Sequence, residues 1–226
     1  MSDSGISSVF VAGAGLMGSG IAQTAAQSGL TVVLYDALEG AAARAIAQIG
    51  ARLERAEQSG RLAAGAAAAA REHLRGAEGP RAAADSQMVI EAISEKLETK
   101  LAFWSAMDEI CPESVLFASN TSSIPITRLA AATGRPAQFM GMHFYSPVPV
   151  MELVELVRGV LTSDATYATV ERLSRELGKL PVGSADTPGL PTVAGLVGQS
   201  RPLWEHPWPV VGPGSPNLCS QGTEAA

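Results

Sequence analysis

Short apolar runs separated by turn residues and helix-like segments organise this chain from its start. Ser8-Val9-Phe10-Val11-Ala12 has strand length and apolar character, a glycine-rich stretch follows from Gly13 to Gly18, and a helix-like segment continues through Ser28. Gly29 closes that helix, and Thr31-Val32-Val33-Leu34-Tyr35 is a second strand with Asp36 at its tip. Residues 37–84, rich in Ala, Arg and Glu, predict two helices divided near Ser59 and Gly60, with an uninformative alanine run at residues 66–70. Residues 88–93 predict a strand. Residues 95–110 predict a helix with Leu97, Leu101, Trp104 and Met107 at helical spacing, which assigns Trp104 to the core. Residues 115–119 form the next strand, ending in polar Asn120-Thr121-Ser122-Ser123. Phe139, Met140 and Met142 lead into a strand end at His143, and residues 153–157 read as another strand. Strands alternating with helices predict an α/β fold of Rossmann type, a doubly wound and mostly parallel sheet.

Two constellations carry chemistry. Gly13-Ala14-Gly15-Leu16-Met17-Gly18 is a G-x-G-x-x-G between a strand and a helix, the place where glycines permit a tight turn, backbone approach to a pyrophosphate and close helix–strand contact. Asp36 lies about 20 residues beyond the second glycine, where an acid meets the adenine ribose hydroxyls. No basic residue follows it immediately to accept a 2′-phosphate, so NAD is favoured over NADP. An α/β turn without a nucleotide is the plain alternative.

The second constellation is His143 with Glu155, twelve positions on. Pro147 and Pro149 cannot donate ladder hydrogen bonds and so open a turn between the two strands, which can return the carboxylate to the imidazole. A carboxylate beside an imidazole fixes its tautomer and stabilises the imidazolium formed after proton abstraction, and an imidazole that titrates near roughly 6.5 needs little tuning for work at neutral pH. Taken alone, the pair also fits a backbone-satisfied histidine and a solvated glutamate.

With 226 residues and 46% hydrophobic content the chain suits one sizeable α/β domain plus an appendage. A net charge of −6 argues against a nucleic-acid or anionic-membrane surface, although a small basic patch for a phosphate remains compatible. Cys111 and Cys219 stand in unrelated contexts and suggest neither a disulfide framework nor a metal site. Met1-Ser2-Asp3-Ser4-Gly5 has neither signal-sequence nor transit-peptide character, and no apolar run is long enough to span a bilayer, so a cytoplasmic location is expected.

With Gly13-x-Gly15-x-x-Gly18, Asp36, Glu91-Ala92-Ile93-Ser94-Glu95, Ser119-Asn120-Thr121-Ser122-Ser123 and the His143 run in this order, the chain resembles the 3-hydroxyacyl-CoA dehydrogenase family. The resemblance extends from about Ser7 to Gly189 and includes Asp186-Thr187-Pro188-Gly189, which in the family marks the approach to a second domain. It implies oxidation of the 3-hydroxyl of L-3-hydroxyacyl-CoA to a ketone with NAD, in fatty-acid oxidation or its biosynthetic reverse. By the same resemblance His143 takes the hydroxyl proton, Glu155 orients the imidazole, and Ser122 contacts both nicotinamide and substrate. Gly13, Gly15, Leu16, Met17, Gly18, Asp36, Glu95, Lys100 and Ser146 fall at cofactor positions. From the residues alone, Ser122 or Ser123 also suits a helix N-cap before Ile124-Pro125, and Glu95 and Lys100 suit the solvated face of a helix.

The chain departs from the family pattern in several places. Ser146 stands where the family usually has Asn, which removes or shortens an amide contact near the nicotinamide. The family's CoA-contacting Ser and Lys fall on Arg52 and Ser59; Arg52 and Arg55 remain candidates for a substrate phosphate, or are simply solvated. After Gly189 the family continues with Asn-Arg and a helical domain that closes over the acyl chain and forms the dimer. Here Leu190-Pro191-Thr192-Val193-Ala194 follows, with Val193 at the position of the pocket Asn, and then Pro202, Pro207, Pro209, Pro213 and Pro216 beside Trp204 and Trp208. The expectation is a dinucleotide-binding domain over residues 1–189, the family's helical domain missing, and a disordered Pro/Gly-rich tail over 190–226 from another reading frame or an alternative end. NAD binding with low turnover and a tendency to aggregate is expected to follow. Two other readings are a small-hydroxy-acid dehydrogenase of the gulonate-dehydrogenase branch and a non-catalytic NAD-binding module.

Overall fold

A strand buried on both faces needs apolar residues on both, and the first strand shows how this chain meets that demand. Val9 and Val11 of β1 (Ser8–Ala12) point into one core, while Phe10 and Ala12 point into the other. The computed structural model describes residues 3–186. They form an eight-stranded sheet in the order β3-β2-β1-β4-β5-β6-β7-β8. β1 sits between β2 (Thr31–Tyr35) and β4 (Met88–Glu91) and is parallel to both, so the strand order reverses there and opens a crevice at the carboxyl ends. β5 (Leu116–Ser119) and β6 (Phe139–Phe144) extend the parallel set. β7 (Leu153–Arg158) returns antiparallel to β6, and β8 (Leu180–Ala185) runs parallel to β7.

Two helical layers cover this sheet. On one face α1 (Leu16–Gln27), α2 (Ala41–Gln58), α3 (Ala66–Glu72) and α6 (Asp164–Glu176) contribute Ile21, Ile49, Leu53, Ala67 and Leu173 to a buried cluster. On the other, α4 (Leu97–Ile110) and α5 (Ile126–Ala130) bury Trp104, Met107 and Leu129. Trp104 is a core residue, as its spacing predicts: it is fully buried, with its ring 5.0 Å from Phe117 and 4.6 Å from Phe139.

The chain differs from the sequence reading in several places. The stretch read as two helices also carries β3 (Leu74–Gly76) and a 3-10 turn at Pro80–Asp85. A three-residue strand has no periodicity of its own and exists here because Leu74 pairs with Val32. The helix predicted from residue 95 starts at Leu97, which frees Glu95 to reach another loop. Neither Ser122 nor Ser123 caps α5. Its first N–H groups, Ile126 and Thr127, donate to Asp186 at 2.6 and 2.7 Å, and Thr127 Oγ1 donates to the same carboxylate. The expected boundary at 189/190 and the tail over 190–226 lie outside the described residues. No helix among the described residues is long and apolar enough to cross a membrane.

Candidate active site

The β1–α1 turn uses its three glycines for three different purposes. Gly13 has φ +101°, and a Cβ there would stand 2.4 Å from the Ala92 carbonyl oxygen of the neighbouring strand end. A Cβ on Gly18 would lie 1.8 Å from the Gly13 carbonyl oxygen, so this glycine lets the helix start press against the turn. At Gly15 a Cβ would meet nothing within 4 Å. Packing therefore does not require that glycine, and the open space in front of it, beside the free N–H groups at the start of α1, is the cradle a pyrophosphate needs. Leu16 in the first turn is largely exposed beside it. Asp36 reaches this turn from the tip of β2: its Oδ2 accepts the Ala14 N–H at 2.7 Å and its Oδ1 the Leu38 N–H at 2.9 Å. The residues present fit the dinucleotide. Replacing Gly18 with alanine is expected to cost about 1–3 kcal/mol of stability and to abolish NADH binding; thermal melting and NADH fluorescence check both.

Beside the turn, at the carboxyl ends of β4, β5 and β6, opens a cleft of about 410 Å³ lined by Met17, Ala92, Ile93, Glu95, Lys100, Asn120, Ser122 and the run His143 to Ser146. The fold thus gathers Met17, Glu95, Lys100, Ser122, His143 and Ser146 around one space, with the glycine turn and Asp36 framing its neighbour. Arg52 and Arg55 are not among the lining residues; both lie on α2, where Arg52 donates to Gln23 of α1 at 3.0 Å. Burial, followed by the neighbouring Arg55 charge, holds the Arg52 guanidinium below its ordinary value.

His143 and Glu155 are direct partners across the β6–β7 ladder. The imidazole Nδ1 lies 2.9 Å from Glu155 Oε2, and the carboxylate side chain is only 3% exposed. Tyr145 Oη donates to the same oxygen at 3.1 Å, and its ring lies 4.9 Å from the imidazole. With Nδ1–H held by the carboxylate, the neutral imidazole keeps its lone pair on Nε2, the nitrogen free for proton transfer.

Beneath the cleft runs a polar network that only partly matches the sequence reading. Lys100 does not lie on a solvated helix face: its side chain is 1% exposed and its Nζ stands 2.5 Å from Glu91 Oε1 and 3.2 Å from Glu95 Oε2. Glu91, fully buried at the end of β4, also accepts from Ser119 Oγ at 2.6 Å and from the Ile93 N–H at 2.9 Å. Glu95 accepts from Thr121 Oγ1, the Ser122 N–H and Ser123 Oγ, and so shapes the loop that presents Ser122. Burial pushes the Glu95 carboxyl up, but the Thr121 hydroxyl, Lys100 and the Ser123 hydroxyl outweigh it and hold the group below the usual carboxylate range. The stability this loop draws from the anion is present above the ordinary carboxylate value and is lost as pH falls through the lowered one. Sequence reasoning missed Glu91 and Tyr145 as site residues. An acid closing the apolar run Met88-Val89-Ile90 was a signal for the first, since a charge in such a strand needs a partner.

Residues 8–187 match the family described as 3-hydroxyacyl-CoA dehydrogenase, NAD binding domain. The chain belongs to the 3-hydroxyacyl-CoA dehydrogenase family. It is 41% identical over 184 residues to a probable 3-hydroxybutyryl-CoA dehydrogenase of Bacillus subtilis, covering 81% of this chain and 64% of that protein. It is also 41% identical over 187 residues to the human mitochondrial hydroxyacyl-coenzyme A dehydrogenase, covering 80% of this chain and 60% of the relative. Among solved structures, the (S)-3-hydroxybutyryl-CoA dehydrogenase from Ralstonia eutropha superposes with a TM-score of 0.81 at 42% identity, over 84% of this chain and 68% of that one. The chain spans less than two thirds of the length of these two curated relatives. NAD is the cofactor of the matched family domain, in agreement with the glycine cradle and Asp36.

Proposed function

We propose that the protein interconverts L-3-hydroxyacyl-CoA and 3-ketoacyl-CoA in fatty-acid metabolism, with the glycine turn, Asp36, Glu95, Lys100, Ser122 and Ser146 holding NAD. The observation that carries this reading is the His143 imidazole in the cleft wall, pinned through Nδ1 by a buried carboxylate. His143 Nε2 takes the proton of the substrate C3 hydroxyl, and Glu155 stabilises the resulting imidazolium without leaving its place. NAD, when bound, accepts the hydride from C3. In the reductive direction His143 returns the proton to the oxygen. The Ser122 hydroxyl can donate to the substrate oxygen or accept from the cofactor amide, and Glu95 fixes the backbone that presents it. Arg52 and Arg55, two cations whose mutual repulsion an anion relieves, are the groups proposed for a phosphate of the CoA moiety.

Two signals from the same sample test the reading. NADH fluorescence reports cofactor binding, and loss of NADH absorbance on adding acetoacetyl-CoA reports turnover. The expected result is binding together with acetoacetyl-CoA-dependent oxidation. A second reading takes residues 8–187, which match an NAD binding domain, as a cofactor-holding module, and binding without any turnover selects it.

A further inference from the structure

Ser146, the last of the cleft-lining run that starts at His143, leads directly into the turn between β6 and β7. Pro147 and Pro149 supply no N–H there, and the Val150 and Met151 amides both donate to the Pro147 carbonyl at 2.9 Å. The Val148 and Met151 carbonyls find their partner in another part of the chain. Lys179, between α6 and β8, donates through Nζ to Val148 O at 2.6 Å and to Met151 O at 2.8 Å. The next residue extends this grip, since the Leu180 N–H donates to the Glu152 carbonyl at 2.7 Å.

Lys179 is only 8% exposed, and these partners are carbonyls rather than a carboxylate. Burial holds its ammonium below its ordinary value, and the Glu152 charge opposes that shift. A desolvated cation held by neutral dipoles is a costly way to fill space, which an apolar side chain would do without the penalty. What the ammonium adds is direction, because two carbonyls must converge on one point. Their convergence seats Val148, which is 2% exposed and lies against α1, where a Cβ on Gly20 would stand 2.9 Å from the Val148 Cβ. The first turn of α1 is the dinucleotide cradle. The β6–β7 turn is thus clamped between the cofactor helix on one side and Lys179 on the other.

We propose that Lys179 is a positioning residue for the proton-transfer wall of the cleft. By gathering the two carbonyls it presses Val148 onto α1 and sets how far Tyr145 and Ser146 stand from a cofactor bound at that helix. The role assigned to Lys179 rests on the 3-hydroxyacyl-CoA chemistry proposed for the His143 cleft.

Lys179→Met keeps the reach of the side chain and removes the ammonium, whereas Lys179→Arg keeps donors for both carbonyls. Gly20→Ala pushes on Val148 from the α1 side with Lys179 in place. The full chain is followed by amide exchange over residues 146–152, by acetoacetyl-CoA reduction and by the emission of bound NADH, which reports the surroundings of the nicotinamide. In Lys179→Met the Val150 and Met151 amides are expected to exchange about tenfold faster. Its kcat is expected to fall about 10- to 100-fold, with KM for acetoacetyl-CoA and for NADH close to the parent's. Lys179→Arg is expected to recover most of both losses, and Gly20→Ala to lower kcat in the same way. Unchanged exchange in Lys179→Met overturns the proposal, and so does a loosened turn with the kcat of the parent. A parent chain that binds NADH without turnover defeats the proposed activity instead. Bound NADH then decides the role of Lys179: an emission that shifts in Lys179→Met and returns in Lys179→Arg supports it, and the same emission in all three chains overturns it.

Discussion

Replacing His143 with glutamine is expected to lower the rate of NADH-dependent acetoacetyl-CoA reduction by about 10²- to 10⁴-fold while leaving NADH affinity unchanged. Glutamine retains a polar side chain of similar reach and can keep a bond to Glu155, so the fold loses little. What disappears is the ring nitrogen that takes and returns the proton. Glu155→Gln tests the same account from the other side. The 2.9 Å contact persists in form, but the negative charge that stabilises the imidazolium is gone, and the expected loss is smaller than for His143→Gln. A chain in which both variants turn over like the unaltered one does not use this pair for catalysis.

The largest expected effect on stability lies at Lys100. Lys100→Met removes the cation from a pair in which both side chains are essentially inaccessible, 1% and 0% exposed, and leaves the Glu91 carboxylate buried with two neutral donors. Breaking such a pair from one side costs about 3–5 kcal/mol, which urea unfolding can measure. The double variant Glu91→Met/Lys100→Met is expected to recover much of that loss, because two packed apolar side chains replace two desolvated charges. NADH binding is expected to stay impaired in the double variant, since Glu95 loses Lys100 as a partner and the Thr121–Ser123 loop loosens. If the single variant proves as stable as the parent, the network is not what holds the cleft floor.

Much of this architecture was legible where local signals agree. β1, the glycine turn, α1, β2 and Asp36 could be placed because apolar runs, glycines and an acid at the right remove all point to one unit. The His143–Glu155 pair was legible because two prolines force the turn and the strands flanking it carry the two side chains into register. Other features depend on contacts that sequence spacing does not encode. β3 exists because β2 offers it an edge, and Asp186 caps a helix some 60 residues upstream. Lys100 has the pattern of a surface lysine; only the approach of α4 to the end of β4 turns it into half of a buried pair. Asn120 was visible as a polar residue at a strand end, but the direction of its amide follows from the Phe144 N–H, which belongs to another strand.

The claim on which the account turns is that base, orienting carboxylate and nicotinamide share one cleft. A crystal structure of the protein with NAD and acetoacetyl-CoA, an oxidised pair that cannot react, tests it most directly. The account predicts the nicotinamide ring against the wall formed by Ala92, Asn120 and Ser122, with the C3 ketone oxygen within hydrogen-bond reach of His143 Nε2. A nicotinamide bound elsewhere, or an imidazole facing away from the ketone, contradicts it.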